Sequence, residues 1–115
     1  MRAFKLIGLF CLIGILGCED LDLYEDVPQC IEKQIKEFRD TETTCDSGAK
    51  VYRYEFQGME VYLFDPGNCH ADMQAPIYDA ECNILCALGG FTGNIMCSEV
   101  VFADHATNET LIWEN

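Results

Sequence analysis

Hydrophobic positions recur along this chain with different periods, and each period predicts a different element. Leu6 to Leu16 is an uninterrupted apolar run of 11 residues behind Arg2 and Lys5. Between Pro28 and Arg39 the apolar residues thin out to Ile31, Ile35 and Phe38, spaced as one stripe of an amphipathic helix. Pro28 suits a first helical turn, where its missing N–H is no loss, and Asp26 stands ready near the cap. Glu32–Lys36 and Lys33–Glu37 form i,i+4 pairs on the outer faces, and the helix is expected to stop near Asp40, before the loop-forming Thr41 to Gly48. From Val51 to Phe64 the period shortens to two. The runs Val51–Phe56 and Met59–Phe64 flank Gln57-Gly58, the signature of a hairpin with a two-residue turn. The register that follows sets Phe56 opposite Met59, Tyr54 opposite Val61 and Tyr52 opposite Leu63, so that six apolar or aromatic side chains share one face. Arg53 opposite Tyr62 and Glu55 opposite Glu60 take the other. The helix stripe is the natural cover for the six.

Beyond the turn at Asp65-Pro66-Gly67-Asn68 the pattern weakens. Ile77-Tyr78 and Asn83 to Leu88 read as short strands, and Gly89 to Asn94 as a glycine-rich loop. Cys97 to Phe102 fits either a strand or a short helix, with the helix preferred, and Leu111-Ile112-Trp113 reads as a last strand. The fold class expected is α+β. One N-terminal helix packs on a small antiparallel sheet of about three or four strands, made of the 51–64 hairpin and short C-terminal strands and stapled by disulfides.

The apolar run at the start belongs to a different kind of segment. A helix over Leu6–Leu16 would rise only about 16 Å, roughly half the hydrocarbon core of a bilayer. With its charged start it reads as a secretory signal rather than a span. Ile15-Leu16-Gly17-Cys18 resembles the lipobox of bacterial lipoproteins. That resemblance implies a signal peptide over 1–17, diacylglyceryl attachment to the Cys18 thiol and cleavage before Cys18. Two or three acyl chains hold a protein to a membrane lastingly where one does not. Glu19-Asp20-Leu21-Asp22-Leu23-Tyr24-Glu25-Asp26 follows at once, and its mutually repelling acids are expected to make residues 18–27 a solvated tether. Acids directly after the lipid cysteine also resemble the surface-export signals of Bacteroidota lipoproteins, which implies an outer-membrane protein facing the cell surface or the periplasm. Residues 28–115 then form a single disulfide-rich domain.

Charge and cysteine content narrow the function classes. The chain carries 20 acidic and 7 basic residues, a formal charge of −13. Cleavage before Cys18 removes Arg2 and Lys5 and no acid, which takes the charge to −15. Such a surface repels phosphate backbones, so nucleic acid is excluded as a partner. With Cys11 in the signal and Cys18 lipidated, Cys30, Cys45, Cys69, Cys82, Cys86 and Cys97 remain. An even set in a short exported domain reads as disulfides whose pairing the sequence leaves open. A zinc site from Cys82, Cys86, Cys69, His70 and Cys97 is the weaker reading, because only one close cysteine spacing is present.

No catalytic constellation stands out. Cys69-His70 would need a free thiolate, at odds with a bridged exported cysteine. His105 reads as a loop histidine. The Gly89–Gly93 loop lacks the lysine and following helix of a phosphate cradle, and its glycines read as conformational. Asn108-Glu109-Thr110 matches a glycosylation sequon that means little on a bacterial lipoprotein.

Several motifs recur together. Pro28-Gln29-Cys30-Ile31, Val61-Tyr62, Cys69, Tyr78-Asp79, Cys82-Asn83-Ile84-Leu85-Cys86, Gly89-Gly90-Phe91-Thr92-Gly93, Cys97 and Ile112-Trp113 resemble, in that order, a family of small Bacteroidota lipoproteins grouped as a domain of unknown function, DUF6970. The likeness covers nearly the whole chain after Cys18. The family pattern has adjacent cysteines where this chain has Asn68-Cys69, which implies that Cys45 stands in for the absent one. It also has Pro-Asp where Ala87-Leu88 stand and Gly-Asp-Gly where Asn94-Ile95-Met96 stand, so a cation held by those aspartates would be lost here. The family brings no activity with it.

The function expected is therefore a non-enzymatic envelope or cell-surface module, without a cofactor. It is held to the membrane by lipid and binds a protein or glycan through an exposed patch near Tyr62, Phe64 or Phe91. The alternative is a divalent-cation site built from carboxylates near Asp65, Asp72, Asp79 and Glu81, with a structural or weakly hydrolytic role.

Overall fold

The computed structural model describes residues 21–115. The signal segment 1–17 and the lipid site at Cys18 lie outside the described residues. Helix α1 spans Gln29–Arg39 with Pro28 at its N-cap position and Asp40 at its C-cap. No side chain caps the N-terminus, so Asp26 does not act there, although the Pro28 carbonyl accepts the Glu32 N–H at 3.0 Å. The strands follow as β1 (Lys50–Phe56), β2 (Met59–Asp65), β3 (Gln74–Asp79), β4 (Ile84–Gly89), β5 (Met96–Cys97) and β6 (Val100–Val101). Helix α2 (Phe102–His105) and β7 (Thr107–Glu114) complete the order.

The main sheet is antiparallel in the order β4-β3-β2-β1-β7, and β5-β6 form a small second sheet. It is one strand wider than expected. The β1–β2 register is the one the alternation dictates, from Lys50 opposite Asp65 to Phe56 opposite Met59. Gln57 and Gly58 turn with φ of 53° and 81°, the left-handed pair of a type I′ turn, whose twist matches that of the strands. Cys97–Phe102 is not a helix. Its first residues form the β5–β6 hairpin around Ser98-Glu99, and only Phe102 enters α2. An apolar run this short carries no period that separates the two.

The helix covers the other face of the hairpin from the one expected. Its stripe, Ile31 and Ile35 with Phe38, packs against Val51, Tyr62, Phe64, Ile112 and Trp113. Phe38 meets the Phe64 ring edge-on at 5.2 Å and Trp113 at 6.0 Å. Read alone, the hairpin has six apolar residues on one face against Val51, Tyr62 and Phe64 on the other. Its neighbours shift that balance. Tyr78 sits opposite Tyr62 across β2–β3, and a bulge in β7 turns both Ile112 and Trp113 toward the helix. Tyr62 and Phe64 are consequently buried at 1% exposure and form no surface patch.

The six-residue face is divided instead. Phe56 and Val61, with Ile77 beside them, pack under Phe102 and Cys97, and the Phe102 ring lies 4.9 Å from Phe56 and 5.1 Å from Tyr54. Leu63 packs half-buried at the edge of that plug, and Tyr52 lies beyond it.

Disulfides brace both faces. Cys30–Cys82 ties α1 to the turn after β3, and Cys86–Cys97 ties β5 to β4. Cys45–Cys69 joins the loop after α1 to the loop after β2. Cys45 therefore pairs with Cys69 itself. The acidic stretch 18–27, read as a solvated tether, packs on the domain over its described residues. Leu21 is buried, Leu23 and Val27 pack beside it, and the Tyr24 N–H bonds the Ile112 carbonyl at 2.8 Å. Leucines alternate with acids here, so an extended strand can bury one side and hydrate the other.

Candidate functional site

On the sheet face opposite α1, the part that Phe102 leaves uncovered is a trough of about 560 Å³. Tyr52 and Tyr54 of β1, Leu63 of β2, Ala75 of β3 and Leu88 of β4 form its floor. They converge because alternation points every second residue of each strand to this face, and the pairing register aligns them. The size lies within the range of small-ligand sites.

Two loops wall the trough. Residues 66–73 bring His70, Asp72 and Met73 to one side. This loop is fixed at several points. The Cys45 N–H bonds the Pro66 carbonyl at 2.9 Å, the Asp65 Oδ1 accepts the Gly67 N–H at 3.0 Å, and Cys69 is bridged to the buried Cys45. Gly67 has φ +97°, and a Cβ there would stand 3.0 Å from Cys45 Cβ and Sγ, so the staple and the turn require glycine together.

The second wall is the Gly89–Asn94 loop, closed by paired Gly89 and Asn94 backbone bonds at 2.7 and 3.1 Å. The Asn94 amide donates to the Ala87 and Met96 carbonyls. Gly90 donates to the Met73 carbonyl at 3.0 Å, which locks the two walls to each other. The glycine loop is thus a conformational device. Phe91, next to Gly90 in this loop, is 87% exposed.

The electrostatics are one-sided. Asp65, Asp72 and His70 line the trough, and among the described residues no lysine or arginine does. Lys50 stands opposite Asp65 in the ladder, outside the lining. The Tyr54 hydroxyl donates to Glu109 Oε2 at 3.2 Å. Burial first, and then the Glu109 charge, push its phenol far up, so it stays neutral. On the closed face, burial and the Glu60 carboxylate push the Tyr62 phenol up to about 12.

The remaining candidate residues are dispersed. Asp79 Oδ1 accepts the Glu81 and Asn83 N–H groups, both at 2.9 Å, and these bonds, led by that of Asn83, hold the carboxyl below its ordinary range. It builds a turn. Among the described residues no three His, Cys, Asp or Glu side chains gather where they could share a metal ion, so Asp65, Asp72, Asp79 and Glu81 do not converge. Cys69 is bridged, and His105 bonds the Val101 carbonyl through Nδ1 at 3.1 Å. The trough itself has no signature in the sequence. Its floor was legible as alternation, but which part of that face stays open follows from where Phe102 lands.

The family model described as Domain of unknown function (DUF6970) matches residues 36–115, and the chain belongs to that family. The match spans every strand and both walls of the trough. No curated protein and no solved structure matches the chain.

Proposed function

We propose that this member of the DUF6970 family is a lipid-anchored, non-enzymatic envelope module that binds a partner in the trough. The observation that carries the reading is the aromatic-floored sheet face left open between two stapled loops. Apolar surface on a small domain is normally covered, and here rigid walls hold it open. The walls gain their rigidity from a disulfide and backbone bonds, which lowers the ordering cost of binding.

The address rests on the sequence before residue 21: a charged start, a short apolar run and Cys18 in a lipobox-like context, followed by acids that suit outward display on the outer membrane. Among the described residues no helix is long and apolar enough to cross a membrane. Leu21 is buried only three residues beyond Cys18, a span of at most about 10 Å. A lipid on Cys18 would therefore hold the domain against the bilayer surface instead of on a long tether.

Two measurements test the reading. The intact mass of protein purified from its native membrane is expected to match an acylated Cys18 start, with six cysteines alkylated only after reduction. A mass retaining residues 1–17 would remove the anchor. A photo-crosslinking side chain at Ala75, on the trough floor, is expected to trap a discrete partner in intact cells that the same group at exposed Asp104 does not. Equal labelling from both positions would remove the binding role.

A further inference from the structure

The proposal of a binding trough leaves the chemistry of the ligand open, and the lining bears on it. Resting on that reading, we propose that the trough takes a basic peptide and seats an arginine guanidinium between the Tyr52 ring and the Asp72 carboxylate. The carboxylates of the lining are Asp65 and Asp72, with the His70 imidazole beside them, and among the described residues no lysine or arginine lines the trough to neutralise them. The floor offers aromatic faces, the Tyr52 and Tyr54 rings lying 6.2 Å apart and tilted by 42°. The Tyr54 hydroxyl is already committed to Glu109, so stacking is what that ring can give.

A planar cation is the group that uses a ring face and a carboxylate at once. The whole chain adds to this, since a formal charge of −13 draws cations toward the surface and turns anions away. Asp72 has φ +59° in a loop clamped by Cys45–Cys69, so its carboxylate is carried on fixed backbone. A neutral glycan would use the rings but not the carboxylate charge.

The test uses the full chain in a non-ionic detergent and calorimetry with two capped pentapeptides. One alternates alanine with arginine, and the other replaces each arginine by citrulline, which has nearly the same shape and no charge. The arginine peptide is expected to bind at least about tenfold more tightly, the charge-assisted contact being the difference. Tyr52→Ala is expected to weaken it about threefold while Tyr52→Phe keeps the affinity, as a ring-face contact requires. Asp72→Asn, which suits the same left-handed backbone, is expected to weaken it by about fivefold or more. Lys50→Gln is expected to strengthen binding, and Glu81→Gln, on the turn after β3, to leave it unchanged.

Equal affinity for the two peptides would overturn the cationic ligand while leaving the trough a binding site. Arginine binding indifferent to Tyr52→Ala and Asp72→Asn would overturn it as adhesion to a diffusely acidic surface. Failure of both peptides to bind would overturn it too, and the binding role would then stand or fall on the crosslinking at Ala75.

Discussion

The two faces of the main sheet are made by the same strands in the same register, and they end in opposite states. On the α1 side, Val51, Tyr62, Phe64, Ile112 and Trp113 meet Ile31 and Ile35 in a closed core, with edge-on rings filling its margin. On the far side, Phe102 fills one half over Phe56, and Tyr52, Tyr54 and Leu63 floor an open trough in the other. The difference lies in what is delivered from elsewhere in the chain. A helix 11 residues long covers one face, whereas the segment tied by Cys86–Cys97 is too short to cover the other. The open face is therefore the one on which substitutions should affect binding with little effect on stability.

The staples test the contrast most severely. Replacing Cys30 and Cys82 by serine releases α1 from its face and removes a link of sequence separation 52. Denaturant unfolding is expected to show a loss of about 4 kcal/mol, since longer closed loops restrain the unfolded chain more. Replacing Cys86 and Cys97, separated by 11, frees the plug on the other face and should cost about 3 kcal/mol. Reversal of that order would mean that the plug, not the helix, organises the sheet.

Single side chains sharpen it further. Ile35→Ala empties a fully buried position on the closed face and is expected to cost about 3 kcal/mol. Leu63→Ala, on the trough floor, is expected to cost less than about 1.5 kcal/mol, because solvent already reaches the site. Equal costs by chemical denaturation would mean that the trough is closed in solution.

A smaller gain comes from the plug hairpin. Ser98 and Glu99 both have positive φ, 51° and 71°, in a two-residue turn that favours Asn-Gly. Ser98→Asn with Glu99→Gly should raise stability by about 1 kcal/mol, read as a higher melting temperature. An unchanged melt would place the backbone outside the left-handed region.

A further effect is alkaline. The Tyr62 phenol is raised from 10.0 to about 12 in the folded protein. Its neutral form is the one that the fold favours, so this contribution is complete below pH 10 and is lost as pH rises toward 12. Tyr62→Phe should flatten stability across that window. A slope unchanged by the substitution would assign the alkaline loss to other groups.

Much of this architecture was legible beforehand for local reasons. The hairpin register follows from alternation and a Gln57-Gly58 turn, and α1 from a stripe, two ion-pair spacings and a proline, all set by neighbours a few residues apart. The errors came where distant segments compete. Assigning α1 to the six-residue face counted only the hairpin, and Tyr78, Ile112 and Trp113 arrive from other strands to change the sum. The stretch before Pro28 looked like a tether because its acids are conspicuous, although its leucines find a groove that exists only once β7 is in place. Cys97–Phe102 was ambiguous because its preference is decided by pairing.

The sequence by itself determined α1, the hairpin and its register, the set of six cysteines after Cys18 and the strongly acidic composition. Each of these depends on residue type and short spacing, which the chain carries wherever it folds. Only the tertiary structure decided which cysteine meets which, which sheet face the helix closes and where a trough remains. Those outcomes depend on which apolar surfaces from remote parts of the chain bury one another best, and burial is settled by the whole domain at once.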